Sequence, residues 1–378
     1  MRDERSNDDI DHILCTDFGA PPWTPPGSLP RRELPEQSEV VIVGAGVTGL
    51  SAAMTAARAG REVTVVERRF GSGATSRSGG IVLGDTLAGP VSGFDDCDLV
   101  LRDWIMQSNA ECELFWNGCV ELARDGSLPA APIDWEENGR VRLAKRVGGG
   151  VLNPAKLQAE LARMAGRAGA AIVDGVSVLR LERSGQFSGG SQASRGVVVV
   201  TDRGSLRGDH VIMAVDAMSW RASFDPWAER VITIALTTGS LTDDALAAIG
   251  LGPHLSFYTR DLPLLWGRVM PDQSLLVGRE TLPWAAVDSG KVRDGIGAAG
   301  ERLASRVRRL HPALRDVAVR QVWGGPIART AAGVPGIAPD PRIRSVLWVG
   351  GYGGHGLAQA FRMGRLAVST SQAALHPD

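Results

Sequence analysis

The stretch Glu39–Arg69, EVVIVGAGVTGLSAAMTAARAGREVTVVERR, decides the fold of this 378-residue chain. VVIV is a short apolar run of β-branched residues ending in glycine, which predicts a buried strand. Gly44-Ala45-Gly46-Val47-Thr48-Gly49 follows, then a stretch with small residues on one face that predicts a helix, then a second apolar run ending at Glu67. Strand, glycine turn, helix and strand within about 30 residues make a βαβ unit. Gly44 permits the tight turn, Gly46 lets the backbone approach a pyrophosphate, and Gly49 allows close helix–strand packing. The helix start at Val47 and Thr48 supplies amide donors and a favourable dipole for the anion. Glu67 stands 18 residues after Gly49, where a carboxylate accepts hydrogen bonds from ribose hydroxyls and repels a 2′-phosphate. Arg68, beside it, keeps a phosphorylated nucleotide in view, but Glu67 argues against one.

Outward from this unit, Gly73–Gly80 reads GATSRSGG, too glycine-rich for a regular element. Its glycines flank Arg77 and Ser78, which suits a backbone pressed against a flat ligand and its diphosphate. Ala74, Thr75, Arg77, Ser78, Gly79 and Gly80 are therefore candidate contacts. A nicotinamide dehydrogenase has no need of this second loop. From about 98 to 126 the apolar period is helical, around Leu101, Trp104, Ile105, Cys112, Phe115 and Leu122. AKLQAELARMAGRAG predicts another helix, followed by the strands AIVDGVSVLRLE and GVVVVTDRGSLRGDHVIMAV. Residues 221–320 mix strands with two helices, the second being ERLASRVRRLHPAL. IRSVLWVG predicts a last buried strand that runs into GGYGGHG. Before the βαβ unit, residues 1–37 are rich in proline and charge and read as an extended arm over the surface.

Composition narrows the classes. Net charge is −1, so no long-range field favours nucleic acid or an anionic membrane. No apolar run approaches the roughly 20 residues of a membrane span. The N-terminus is acidic and polar, unlike a secretory signal. Cys15, Cys97, Cys112 and Cys119 form no C-x-x-C pair, which argues against a disulfide framework or metal site and fits a reducing cytoplasm. Cys112 and Cys119 read as small buried hydrophobes on the helix expected there. Lys145, Lys156 and Lys291 are the only lysines, leaving few candidates for Schiff-base chemistry.

These motifs, in this order, resemble the D-amino-acid oxidase (DAO) superfamily of FAD-dependent oxidoreductases. Within it, the likeness is to the glycine/sarcosine oxidase and gamma-glutamylputrescine oxidoreductase group, from about residue 22 to the end. GATSRSGG resembles G-A-S-x-R-N-G-G, and VIMAVDAMSW resembles V-I-x-A-x-N-A. VWGGPIARTAAGVPGIA resembles W-G-G…T-x-D-x-x-P, and GGYGGHG resembles G-Y-S-G-H-G. The resemblance implies FAD, with the backbone near Val178 at the adenine and the strand through Ala214 returning beneath the cofactor. It also implies that Gly353, Gly354, His355, Gly356 and Leu357 lie beside the isoalloxazine ring. Their amides would face the pyrimidine edge, where negative charge develops on reduction.

The chain departs from the family pattern at several positions. Sarcosine-oxidase-like members anchor flavin through a cysteine where Ile327 stands, so the FAD is expected to be non-covalent. Glycine-oxidase-like members place a carboxylate-binding arginine at about that position, and here Arg329 lies two residues away. Leu276 stands where a lysine is thought to assist oxygen. Trp266, followed by Arg268, replaces the usual tyrosine and is expected as a pocket wall. Tyr258, Arg260 and Tyr352 are further candidates beside substrate, and the His355 side chain beside the reacting centre.

The expected class is α/β, in an α+β two-domain form: a Rossmann-like FAD-binding domain with a second, mainly antiparallel β-sheet substrate domain. The FAD-binding domain is expected from residues 38–95, 148–220 and 321–378, and the substrate domain from 96–147 and 221–320. The expected reaction is hydride transfer from a C–H beside nitrogen of an amine or amino acid to flavin N5, giving an imine, with oxygen or another electron acceptor. Oxidation of a 2-hydroxy acid or alcohol, or service as the flavin subunit of a hetero-oligomeric dehydrogenase, are the alternatives on the same fold.

Overall fold

The computed structural model describes residues 17–86, 88–184, 196–218, 228–261 and 264–373. Cys15 and the first 16 residues of the arm lie outside them, as do Ser219 and Trp220 of VIMAVDAMSW. The predicted βαβ unit consists of β1 (Gln37–Val43), α1 (Val47–Arg58) and β2 (Val63–Glu67). Next come β3 (Ile81–Val82), α2 (Cys97–Ser108), β4 (Cys119–Ala123), β5 (Arg142–Val147), β6 (Gly150–Val151) and α3 (Pro154–Arg167). Strands β7 (Ala171–Asp174), β8 (Val178–Arg183), β9 (Val197–Thr201), β10 (Gly204–Met213) and β11 (Ala228–Ser240) follow. The chain continues through α4 (Asp243–Ile249), β12 (Ser256–Thr259), β13 (Trp266–Val269), β14 (Ser274–Pro283), α5 (Ala285–Asp288) and α6 (Val292–Leu310). It closes with β15 (Val319–Thr330), β16 (Gly336–Pro339), β17 (Val346–Gly350) and α7 (Gly356–Ala373).

Two large sheets result. The first has eight strands in the order β16-β17-β10-β1-β2-β7, with β9 and β8 extending it from β10. Its centre, from β17 to β7, is parallel. A parallel centre must be covered on both faces, which is why VVIV is continuously apolar rather than alternating. Val40 and Ile42 face a core with Leu50 of α1, Leu157 of α3 and Phe361 of α7. Val41 and Val43 face the opposite way, into a core that includes Ile232 and Ile234 of β11 and Ile296 of α6. The second sheet has seven strands in the order β15-β11-β14-β13-β12-β4-β5. All its pairs are antiparallel except β12 with β4. Helix α6 covers one face of it, packing Leu303, Val307 and Leu310 among Leu236, Phe257 and Val277.

The helix expected from 98 to 126 is shorter than the periodicity implies. α2 ends where Asn109 takes a left-handed conformation (φ 50°), a common helix terminator. Beyond it the backbone of Phe115 exchanges hydrogen bonds with Val151, at 2.9 Å each way, and Cys119 begins β4. The apolar period past Asn109 does not mark one buried face: Cys112 and Leu122 are buried, whereas Phe115 is exposed and stacks on the His254 ring. Cys112 therefore sits in a loop and Cys119 on a strand, both buried. Helix α2 itself packs on α7, with the Trp104 and Phe361 rings 5.2 Å apart.

The described part of the arm, residues 17–36, has no helix or strand and is largely exposed, but two aromatic side chains anchor it. Phe18 and Trp23 are buried. The Gly324 amide donates to the Phe18 carbonyl at 2.7 Å, and Trp23 Nε1 donates to the Ser78 carbonyl at 2.9 Å. Among the described residues no helix is long and apolar enough to cross a membrane.

Candidate active site

A cavity of about 770 Å³ runs between the two sheets, from Val176–Val178 at one end to Tyr258, Trp266 and Arg279 at the other. The glycine turn after β1 forms its floor. A Cβ at Gly49 would overlap the Gly44 carbonyl oxygen, so helix and turn are in direct contact there. At Gly46 a Cβ would meet only Thr75 Oγ1, at 3.1 Å, and Gly46 itself lines the cavity. Val47 and Thr48, at the helix start, line it as well. Glu67 also faces it and accepts from the Ala45 amide at 2.6 Å and the Arg69 amide at 2.9 Å. Arg68, Val178 and Ala214 complete this end.

The second loop, Ala74–Gly79, forms the next wall. Thr75 Oγ1 accepts from the Val47 amide at 3.2 Å, joining the two loops. The Arg77 side chain is committed to the protein. Its Nη1 donates to the Gly19 carbonyl at 2.8 Å and the Gly324 carbonyl at 3.0 Å, and its Nε donates to Ser72 at 3.2 Å. Burial, with the Arg69 charge nearby, lowers its pKa to about 10. Gly49 and Gly80 lie behind the lining. Gly80 has φ +71° and its carbonyl accepts from Arg268 Nη1 at 3.2 Å.

The C-terminal loop Tyr352–Leu357 forms the third wall. Gly353 and Gly354 both have positive φ, at 60° and 94°. A Cβ at Gly354 would meet Ile327 Cδ1 at 3.8 Å, so β15 lies directly against this loop. The Tyr352 hydroxyl shares a 2.7 Å hydrogen bond with Thr48 Oγ1, which directs it toward the start of α1. Burial raises its pKa. His355 donates its amide to the Tyr352 carbonyl at 3.0 Å, while its Nδ1 is buried without a partner among the described residues. Burial lowers the His355 pKa and so favours the neutral ring at pH 7.

The fourth wall comes from the second sheet. Trp266 pairs across the strands with Gly278, and a side chain at either Gly278 or Gly79 would overlap its indole. The Tyr258 hydroxyl donates to Glu121 Oε2 at 2.8 Å, and burial with that bond raises its pKa. Lys145 Nζ lies 3.5 Å from Glu121 and 3.7 Å from Asp85, and Arg260 lies 4.0 Å from Glu121. Arg329 sits at the rim, paired with Glu229 at 2.8 Å.

Three polar residues organise this site without carrying a recognisable motif. Gln158 of α3 donates to the Ala45 carbonyl at 2.6 Å and accepts from Ser76 Oγ at 2.5 Å, clamping both glycine loops. Asp216, half-buried and lining the cavity, accepts from the Gly351 amide at 2.8 Å and the Ala328 amide at 3.3 Å. It thereby ties the end of β10 to β15 and to the C-terminal loop. Arg268 donates to the Leu152 carbonyl at 2.8 Å as well as to Gly80, and burial lowers its pKa to about 10. The one signal for Gln158 was a polar residue at a core position of an amphipathic helix.

The chain belongs to the family of FAD dependent oxidoreductases, whose model (DAO) matches residues 39–370. Probable oxidoreductase OrdL from Rhizobium meliloti is 26% identical over 385 aligned positions, covering 87% of this chain and 82% of that protein. Gamma-glutamylputrescine oxidoreductase from Escherichia coli is 25% identical over 366 positions, with the same two coverages, 87% and 82%. Among solved structures, glycine oxidase from Geobacillus kaustophilus superposes with a TM-score of 0.68 at 18% identity, covering 89% of this chain and 95% of that one. The protein is thus an FAD-dependent oxidoreductase related to amino-acid and amine oxidases.

The residues present fit FAD. The open side of Gly46, where a Cβ would intrude, is the cradle a pyrophosphate needs. The cavity is long enough to reach from there to the Trp266 wall, and the orphaned His355 Nδ1 lies in the loop between.

Proposed function

We propose that this protein oxidises the C–N bond of an amine or amino acid, with FAD held non-covalently. The observation that carries the reading is the continuity of one cavity from the Gly44–Gly46 turn, past the Tyr352–Leu357 loop, to an aromatic wall on the second sheet. FAD, when bound, supplies the acceptor for a hydride removed from the carbon beside nitrogen. The protein's part is orientation and exclusion of water. Trp266 offers an aromatic face on which an amine is held by cation–π attraction before it loses its proton. Gly353–Leu357 would hold the flavin ring, their amides available to stabilise the negative charge it gains. In this reading residues 38–95, 148–220 and 321–378 serve the cofactor and 96–147 and 221–320 serve the substrate, with α2 joining the first group and β15 the second. Gamma-glutamylputrescine oxidoreductase, among the relatives, supports the choice of amine. The choice of non-covalent attachment rests on Ile327, which lines the cavity where sarcosine-oxidase-like members carry the anchoring cysteine.

Anaerobic mixing of the flavin-loaded protein with primary amines, N-methyl amino acids and D-amino acids tests the reaction class. Bleaching of the flavin band by a member of these series is expected. Bleaching by 2-hydroxy acids, and by no amine, would replace this reading with alcohol oxidation.

A further inference from the structure

We propose that Arg279 is the anion anchor of the substrate pocket and takes a carboxylate carried by the amine substrate, an inference that rests on the amine-oxidising reading above. Arg279 lies on β14, one residue after the Gly278 that sits beneath the Trp266 indole. Between Gly278 and Thr281 the ladder to β11 slips, so that Arg279 and the next residue together oppose Ile234 alone. Such a bulge re-aims side chains, and bulges concentrate beside active sites. Here Ile234 turns into the core behind the sheet, while Arg279 lines the cavity. The paired residues Thr233 and Thr281 line it too, and place two hydroxyl-bearing side chains on the same side.

The other cations of the cavity are already engaged. Arg77 is bound to backbone carbonyls, Lys145 and Arg260 to Glu121, and Arg329 to Glu229. Arg68 also has a partner. Arg279 is half-buried and, among the described residues, has no hydrogen bond or ion pair. A guanidinium withdrawn from water and left unpaired is costly, and a carboxylate restores two parallel charge-assisted hydrogen bonds to it. An anion at this point has two possible sources, the substrate or a phosphate of the cofactor. The strand favours the substrate, because Arg279 belongs to the Trp266 wall while the glycine turn and the start of α1 belong to the other sheet.

The test uses the full-length FAD-loaded protein and its Arg279→Met and Arg279→Lys variants. Each is titrated with acetate, propionate and butyrate and with the corresponding neutral amides, and read by the flavin difference spectrum and by calorimetry. The wild type is expected to bind the carboxylates about tenfold or more tightly than the amides. Arg279→Met should abolish that preference and Arg279→Lys should keep part of it, with FAD affinity unchanged in both. No preference in the wild type, or a preference that survives in Arg279→Met, would overturn the proposal. A loss of FAD affinity in Arg279→Met as large as the loss for carboxylates would overturn it in favour of a cofactor phosphate. If no amine reduces the flavin but the anion preference stands and depends on Arg279, the amine reading falls and the anchor remains.

Discussion

Gly46→Val is expected to give a folded protein that has lost its flavin. Gly46 has φ −77° and ψ −175°, an extended conformation open to any residue. Its added side chain would press only on Thr75 Oγ1, 3.1 Å from the new Cβ, so the βαβ unit survives. The methyl groups instead fill the space into which a pyrophosphate must come to reach the helix amides. An FAD dissociation constant raised by about 100-fold or more is expected, the equivalent of losing two charge-assisted hydrogen bonds. Gly49→Val makes the contrast, since its Cβ overlaps the Gly44 carbonyl oxygen and the turn itself must open. Far-ultraviolet circular dichroism and flavin fluorescence titration separate the two: native spectrum without binding for Gly46→Val, and loss of both for Gly49→Val. Wild-type FAD affinity in Gly46→Val would place the pyrophosphate elsewhere.

Asp216→Ala is expected to be the most damaging single change remote from the glycine turn. Asp216 takes φ 42°, and its carboxylate, half-buried beside the cavity, receives the Gly351 and Ala328 amides. Its removal strands both donors, at about 1–3 kcal/mol each, for a total of about 2–6 kcal/mol. The loss falls where β15 and the C-terminal loop meet, so flavin affinity should drop together with stability. Asp216→Asn, which can accept only one of the two bonds well, should lie between. Thermal melts of the apoprotein with parallel FAD titrations measure both effects. Destabilisation with unchanged FAD affinity would show that the loop holds its position without Asp216.

The parts of the site that were legible in the sequence are those whose requirement is local. Gly44, Gly46 and Gly49 answer to a turn and a helix start within a few residues of themselves, and the strand–turn–helix follows from that alone. Glu67 ends β2 because the apolar run ends there. What escaped depends on distant partners. Arg77 lines the cavity as its place between two glycine pairs implies, but the partners of its guanidinium, the carbonyls of Gly19 and Gly324, lie 58 and 247 residues away. Gln158 and Asp216 act by joining segments whose proximity only the fold creates. Trp23 looked like part of a surface arm because its partners, the Ser78 carbonyl and the Arg268 face, are remote in sequence. The overlong helix had the same origin. Apolar residues recur past Asn109 at helical spacing, but there Cys112 is buried in the core shared with α7, Phe115 is exposed and Leu122 belongs to the second sheet, so the spacing joined residues of unlike surroundings.

The central claim is that two glycine loops and a C-terminal loop hold FAD without a covalent bond. Acid precipitation of the purified protein, followed by the absorption spectrum of supernatant and pellet, tests it most directly. Yellow protein with about one FAD per chain, recovered in the supernatant, is the expected result. Flavin retained in the pellet, or a colourless protein that takes up no added FAD, would contradict it.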